Sequence, residues 1–145
     1  RREFEAAFRD WHPDLRSSLG HAGSATYWPL CTVEDGAWHN GRDTILIGDA
    51  AHALTPFAAQ GAAMAIEDAR ELARCMADSP DLPSAFARYE DARRVRIGRV
   101  RKRAAFNSFA YHAAGPVRIA RNLVLSFKKP EALAADFDWL YGYGS

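Results

Sequence analysis

At 145 residues, with 48% hydrophobic and 26% charged side chains, the chain can build one globular core and lacks a disordered composition. Its formal net charge of +1 argues against attraction of the whole domain to nucleic acid. Cys31 and Cys75 form no CxxC motif and no disulfide framework, which favours a reduced, cytoplasmic setting. No apolar run reaches the roughly 20 residues that span a bilayer, and Arg1–Glu5 is no signal peptide. The missing initiator Met indicates a fragment or a processed chain.

The N-terminal part predicts one interrupted helix and two short strands. An apolar stripe at roughly helical spacing predicts a helix that breaks near Pro13. The stripe consists of Phe4, Phe8, Trp11 and Leu15. Ala25–Val33 suits a pleated surface, and Pro29 removes one backbone donor, so an edge strand is expected. Turn residues at 40–43 precede Thr44–Ile47, a short apolar run that predicts a buried strand ending at Gly48.

The remainder predicts four helices. Gly61–Met76 places small and apolar side chains on one face. After a break at Ser79–Pro83, Ser84 is expected to cap a second helix that runs through Val100. Gly115 and Pro116 end that region, Val117–Phe127 suggests a third helix, and a fourth opens at Pro130 and continues through Leu133, Phe137 and Leu140. These elements predict an α+β fold with a C-terminal helical portion and a few strands.

The chemistry is concentrated where the second strand meets the first long helix. Asp49 follows the strand and can accept hydrogen bonds from hydroxyl groups, while Gly48 lets a ligand approach the backbone. Amides in the first helical turn lack helical partners, so those of Gly61, Ala62 and Ala63 would face the same space. This arrangement predicts a site for a polar ligand.

Each feature also has a purely structural interpretation. Taken alone, Gly-Asp after a strand is more often a turn or a helix cap. The alanines of the helix equally suit close helix packing. His52 alone is more often a structural histidine, and no second ligand stands at convincing metal spacing, so no metal is predicted.

Taken together, Gly41–His52, Pro56 and Gln60–Ala69 resemble the second flavin-binding motif of class A flavoprotein monooxygenases, the salicylate hydroxylase and hydroxybenzoate hydroxylase group. The resemblance is strongest from Trp38 to Arg96. It implies a two-domain FAD-dependent hydroxylase that acts on a small aromatic acid with NADH or NADPH and O2. The implied segments are part of a substrate domain (1–36), the C-terminal FAD-binding motif (37–78) and a C-terminal helical region (79–145).

The resemblance also implies roles for individual residues. Asp49 would bind the ribityl chain of the flavin, and the Gly61–Ala63 amides would lie beside its pyrimidine edge. Pro56 and Phe57 would approach the substrate. No catalytic residue can be assigned from the motif.

The sequence departs from the family pattern in two ways. It contains no GxGxxG, so the Rossmann-type half that holds the ADP moiety is absent and the isolated chain is expected to be inactive. The implied partners are therefore the missing N-terminal FAD-binding half and the aromatic acid, with no membrane partner. Ala59 stands where glycine is frequent in the loop.

Two alternatives remain open. The region 88–103 is strongly basic and could form a binding module, although a solvated or domain-contacting face is favoured and nucleic acid is not expected. Its cations are Arg88, Arg93, Arg94, Arg96, Arg99, Arg101, Lys102 and Arg103. The aromatic residues towards the C-terminus could instead support self-association as a homo-oligomer.

Overall fold

The computed structural model describes residues 2–21, 23, 26 and 28–142. The chain divides into two compact units, Arg1–Leu30 and Cys31–Ser145. The predicted division into segments 1–36, 37–78 and 79–145 stays a prediction.

The first unit contains two short helices, α1 (Arg2–Ala7) and α2 (Pro13–Gly20). Pro13 opens α2, because proline at a first helical position removes only an amide that has no helical partner. The predicted helix with a break near Pro13 is confirmed. Phe8 and Trp11 lie in the intervening turn, where their rings meet edge to face at 4.5 Å.

The second unit is built from helices. In chain order they are α3 (Asp49–His52), a 3₁₀ turn (Pro56–Ala58), α4 (Gly61–Ala77), α5 (Leu82–Tyr111), α6 (Gly115–Phe127), α7 (Pro130–Ala135) and α8 (Asp138–Tyr141). Among the described residues, no helix combines the length and apolar character needed to cross a membrane. The predicted helix from Gly61 to Met76 is confirmed as α4, and the one from Val117 to Phe127 as α6.

The core lies where α4 packs against α5. Its buried apolar members are Trp38, Ala51, Met64, Cys75, Ala85, Phe86, Tyr89, Ile97, Val100 and Leu140. They come from the segment before α3, from α3 itself, from both long helices and from α8. The core therefore ties the turn at Gly48 to the two long helices.

The prediction of an α+β fold was wrong, because the described part of the chain is mostly helical and contains no β-strand. Thr44–Ile47 makes a single antiparallel bridge, between His39 and Ile45, and Leu46 donates its amide to the Trp38 carbonyl at 2.7 Å. Leu46 and Ile47 are each 40% exposed, so this run is not a buried strand. A strand needs paired neighbours along its length, and this stretch pairs only with the short segment around Trp38 and His39.

The predicted edge strand is wrong over the residues that can be judged. Ala25 and Tyr27 lie outside the described residues. Residues 28–33 form no strand. Their β propensity depends on a pairing partner, which this part of the chain does not find.

Two helix boundaries also differ from the predictions. Asp81 caps α5, and its carboxylate accepts the Ser84 amide at 2.8 Å, so Ser84 lies inside the first turn. The predicted fourth helix is two helices, α7 and α8, which are separated at 136–137. The helix after the cap ends at Tyr111, a few residues before Gly115 and Pro116, where the sequence predicted the end of that region.

Replacement of the α5 cap gives a direct test of this boundary. Asp81→Ala should lower the midpoint of thermal unfolding by several degrees, because an amide of the first turn loses its acceptor. Ser84→Ala is the comparison and should lower the midpoint less, because the Asp81 carboxylate still accepts the backbone amide at position 84 when only its bond with the Ser84 side chain is lost. Circular dichroism at 222 nm on both variants measures the difference. A larger loss in Ser84→Ala would return the cap to Ser84.

Candidate functional site

Gly48 forms the sharp turn between the extended segment and α3. Its backbone has φ 58° and ψ −142°, a region open essentially to glycine alone. A Cβ at this position would lie 3.2 Å from the Cβ of Ala65 on α4. Gly48 is buried, so the absence of a side chain serves the approach of α4 to the turn. Contact between Gly48 and a ligand stays a prediction.

Asp49 lies beside the N-terminus of α4. Its side chain is exposed, and its Oδ1 is 3.8 Å from where a Cβ at Gly61 would stand. Gln60, the cap residue of α4, makes no side-chain capping bond. The amides of 61–63 therefore open the helix without a side-chain cap, with Gly61 and Ala62 exposed and Ala63 half-buried. The structure brings together the carboxylate and the amides that the sequence grouped.

A buried carboxylate, that of Asp68, stabilises the turn at Gly48 through hydrogen bonds. Asp68 on α4 accepts the Gly48 amide on Oδ2 at 2.7 Å, and the same oxygen is 2.6 Å from His52 Nε2. Its other oxygen accepts Nε of Arg93 on α5 at 2.7 Å. The side chains of Asp68 and Arg93 are fully buried. One carboxylate thus joins the turn, α3, α4 and α5.

The protonation states follow from these contacts. Burial alone would raise the pKa of Asp68, but hydrogen bonds from His52, Gly48 and Arg93 outweigh it, and the pKa lies below its ordinary value. Burial raises the pKa of the neighbouring Tyr89 hydroxyl, and the charge of Asp68 adds to that effect. Asp68 is therefore an ionised carboxylate inside the core.

The network continues towards the C-terminus. Arg93 Nη1 donates to Glu67 Oε2 at 2.8 Å. Arg96 grips the same carboxylate, with Nε on Oε2 at 3.1 Å and Nη2 on Oε1 at 2.8 Å. Arg96 also donates to the Trp139 and Leu140 carbonyls of α8, each at 2.8 Å. Two acidic and two basic side chains balance one another within the α4–α5 contact.

The loop at 56–60 rests on the C-terminal end of α5. Asn107 Nδ2 donates to the Phe57 carbonyl at 2.9 Å, and the Phe57 ring meets His112 edge to face at 5.5 Å. Ala59 adopts a left-handed conformation with φ 51°. The frequent glycine of this loop position therefore corresponds to a backbone that glycine adopts without strain.

A cleft of about 400 Å³ opens beside this loop. It is lined by Thr32, Glu34, Leu54, Thr55, Phe57, Arg101, Ala104, Ala105, Ser108 and Phe109. Arg101 donates to the Val33 carbonyl at 2.6 Å, and its buried Nε has no hydrogen-bond partner within the described part of the chain. Apolar walls with hydroxyl groups, an arginine and one glutamate suit a small aromatic ligand that carries polar substituents.

Comparison with known proteins decides the family. The family model described as FAD binding domain matches residues 13–104, more than half of the chain. This chain belongs to the FAD binding domain family. The predicted flavoprotein family and its cofactor, FAD, are thereby confirmed.

The curated relatives are aromatic hydroxylases by name. The 3-hydroxybenzoate 6-hydroxylase of Klebsiella oxytoca is 38% identical over 94% of this chain and 34% of its own length. A 3-amino-4-hydroxybenzoate 2-monooxygenase of Streptomyces platensis is 38% identical over 97% of this chain and 35% of its own. The 6-hydroxynicotinate 3-monooxygenase of Bordetella bronchiseptica is 41% identical over 69% of this chain and 27% of its own. The chain spans about a third of the length of the curated relatives that match nearly all of it.

The residues present fit an FAD site of this family. FAD offers hydroxyl donors on its ribityl chain and acceptors on its pyrimidine edge. Asp49 is an exposed acceptor, and the amides of 61–63 are uncapped donors beside it. The small side chains of Gly61 and Ala62 leave those donors accessible.

Sequence reasoning missed the residues that support the site. Asp68 was not singled out, and Arg93 and Arg96 were counted with the basic region 88–103, although all three side chains are buried. A usable signal was present, since adjacent acids at 67–68 and arginines spaced by three at 93 and 96 can meet across two packed helices. Asn107 offers only a weak signal, a single amide among apolar residues of α5.

The turn at Gly48 gives a prediction with a matched control. Gly48→Ala should destabilise the protein through the backbone, by about 1–3 kcal/mol, and further through the contact with Ala65. Gly41 has φ 74°, and an added methyl there would meet open space, so Gly41→Ala should lower stability only through backbone strain. Urea unfolding of both variants measures the difference. Equal losses would show that α4 does not press on the turn.

Proposed function

We propose that this chain supplies part of the FAD site of a monooxygenase that hydroxylates a small aromatic acid with NADH or NADPH and O2. The observation that carries the proposal is the convergence of the Asp49 carboxylate with the uncapped amides of 61–63 in a chain of the FAD binding domain family. The names of the relatives support the reaction and the substrate class, since they are hydroxylases and monooxygenases of hydroxylated aromatic acids.

Each group in the site has a distinct task. Asp49 would accept hydrogen bonds from the ribityl hydroxyl groups of FAD. The amides of Gly61, Ala62 and Ala63 would donate to its pyrimidine edge and favour negative charge there, an effect of about 0.3–2 kcal/mol depending on burial. The bound FAD supplies the redox chemistry. Gly48 and the buried Asp68 keep the Asp49 carboxylate beside the N-terminus of α4.

The substrate is proposed to lie beside the loop that carries Pro56 and Phe57. Phe57 and Thr55 line the cleft along α5, where apolar walls would accept an aromatic ring. Asn107 holds the loop through the Phe57 carbonyl. The loop is thus supported by α5, and a rigid support favours precise placement of a ring.

The isolated chain is proposed to lack turnover. Its sequence contains no GxGxxG turn to bind the ADP moiety. The groups described above address the flavin and ribityl portions only. FAD should therefore bind weakly to these residues alone and firmly to the whole protein.

Asp49 is the residue to test first. Asp49→Ala in the whole protein should raise the dissociation constant of FAD by about 10- to 100-fold, because a charged acceptor of ribityl hydroxyls is lost. Asp91→Ala removes an exposed carboxylate from α5 and should leave the affinity unchanged. Flavin fluorescence titration on the apo-proteins measures both. Unchanged affinity in Asp49→Ala would remove Asp49 from the site.

The role of the helix amides can be tested at Ala62. Ala62→Pro deletes one donor while its φ suits the first helical turn, so the flavin potential should fall by about 10–40 mV and reduction should slow. Ala62→Ser keeps the amide and should do much less. A redox titration is run after folding and FAD occupancy have been checked. Equal potentials in wild type and Ala62→Pro would discard the role of that amide, and an equal shift in Ala62→Ser would indicate packing instead.

A further inference from the structure

A continuous line of buried and partly buried polar contacts connects the turn at Gly48 to helix α8. It begins at the Gly48 amide, passes through Asp68, Arg93, Glu67 and Arg96, and ends at the Trp139 and Leu140 carbonyls. Each step is a direct hydrogen bond between 2.7 and 2.8 Å. The two ends of this line are more than ninety positions apart in sequence.

The α8 end of the line is held by several contacts at once. Arg96 binds both carbonyls, and its guanidinium lies 5.3 Å from the Trp139 ring centroid. Arg99 stacks on the same ring at 3.9 Å. The Leu140 side chain is 2% exposed and belongs to the core. Docking of α8 is therefore one event that places a ring, an apolar side chain and two carbonyls together.

The middle of the line cannot rearrange at one end alone. Asp68 and Arg93 are fully buried, and the side chains of Arg96 and Glu67 are 8% and 14% exposed. Two positive charges offset two negative ones. Displacement of one member leaves another charge unpaired in a low-dielectric environment, which is strongly unfavourable. Such a network favours two arrangements, made or broken, over intermediate ones.

We propose that α8 is coupled to the turn at Gly48, with Arg96 and Glu67 as positioning residues between them. Docking of α8 keeps Glu67 and Arg93 in place. These two side chains in turn keep Asp68 bound to the Gly48 amide and Asp49 beside the N-terminus of α4. Since coupling is reciprocal, bound FAD should hold α8 more firmly, and loss of α8 docking should weaken FAD binding. The part that concerns FAD rests on the proposed function.

The coupling can be tested in the whole protein without FAD. Arg96→Lys keeps the charge, but a single ammonium cannot reproduce the fork that spans Glu67 and two carbonyls. Hydrogen–deuterium exchange should become faster at 138–142 and also at 48–53. Arg88→Lys is the control, because Arg88 likewise bridges α5 to a backbone carbonyl, that of Asp78, away from the line. It should leave exchange at 48–53 unchanged.

A second variant approaches the line from its other end. Trp139→Ala removes the ring between Arg96 and Arg99 and leaves every charged group in place. It should also speed exchange at 48–53, which keeps the proposal testable if Arg96→Lys does not fold. Faster exchange confined to 138–142 in either folded variant overturns the coupling.

The reciprocal test uses FAD. Binding of FAD to the wild-type protein should slow exchange at 138–142, and Arg96→Lys should raise the FAD dissociation constant by about 5- to 50-fold. Ile97→Val, a buried change on the next position of α5, lowers stability without breaking the line and should bind FAD as the wild type does. FAD that binds but leaves 138–142 unchanged overturns the coupling. Failure of the wild type to bind FAD overturns the proposed function instead, while the exchange measured without FAD still decides the coupling.

Discussion

The contact between Asp68 and Arg93 places two opposite charges where no water reaches either. Such a pair is tolerated only when its remaining hydrogen-bonding capacity is used, and removal of one partner typically costs about 3–5 kcal/mol. Here the Gly48 amide and His52 use the remaining hydrogen-bonding capacity of Asp68, and Glu67 accepts a further hydrogen bond from Arg93. Since these partners come from different elements, the pair fixes the turn, α3, α4 and α5 relative to one another.

A buried ion pair is weak evidence for stability, because apolar residues of similar volume often serve as well. What this pair contributes here is a directional hydrogen bond from the Gly48 amide to Asp68. An apolar side chain in place of Asp68 could fill the volume but could not accept the Gly48 amide. That amide belongs to a backbone with φ 58°, which needs support from its surroundings. The Asp68 carboxylate therefore helps to orient Asp49, which directly follows Gly48 in the chain.

Local signals in the sequence predicted α4 and the grouping of Asp49 with Gly61–Ala63, because the turn at Gly48, the loop and the start of α4 are close in the chain. The strands were predicted wrongly, since β propensity at 44–47 reports a suitable surface and not the presence of a partner. Arg93 and Arg96 were missed because hydrophobic periodicity assigns arginine to the surface. Their burial depends on acids some 25 to 29 positions away, which no local pattern encodes.

In the described residues, which contain no β-strand, arginines of α5 supply hydrogen-bond donors to backbone carbonyls. Backbone carbonyls outside helices need donors, and without a β-ladder these must come from side chains. Arginines of α5 donate to such carbonyls at Gly36 and Val33, and to the Trp139 carbonyl in the last turn of α8, which has no partner within its helix. Arg103 instead stacks on Phe137, with its guanidinium carbon 4.2 Å from the ring centroid. Several arginines of the basic region 88–103 thus make internal contacts, which weakens the interpretation of this region as a surface for anionic partners.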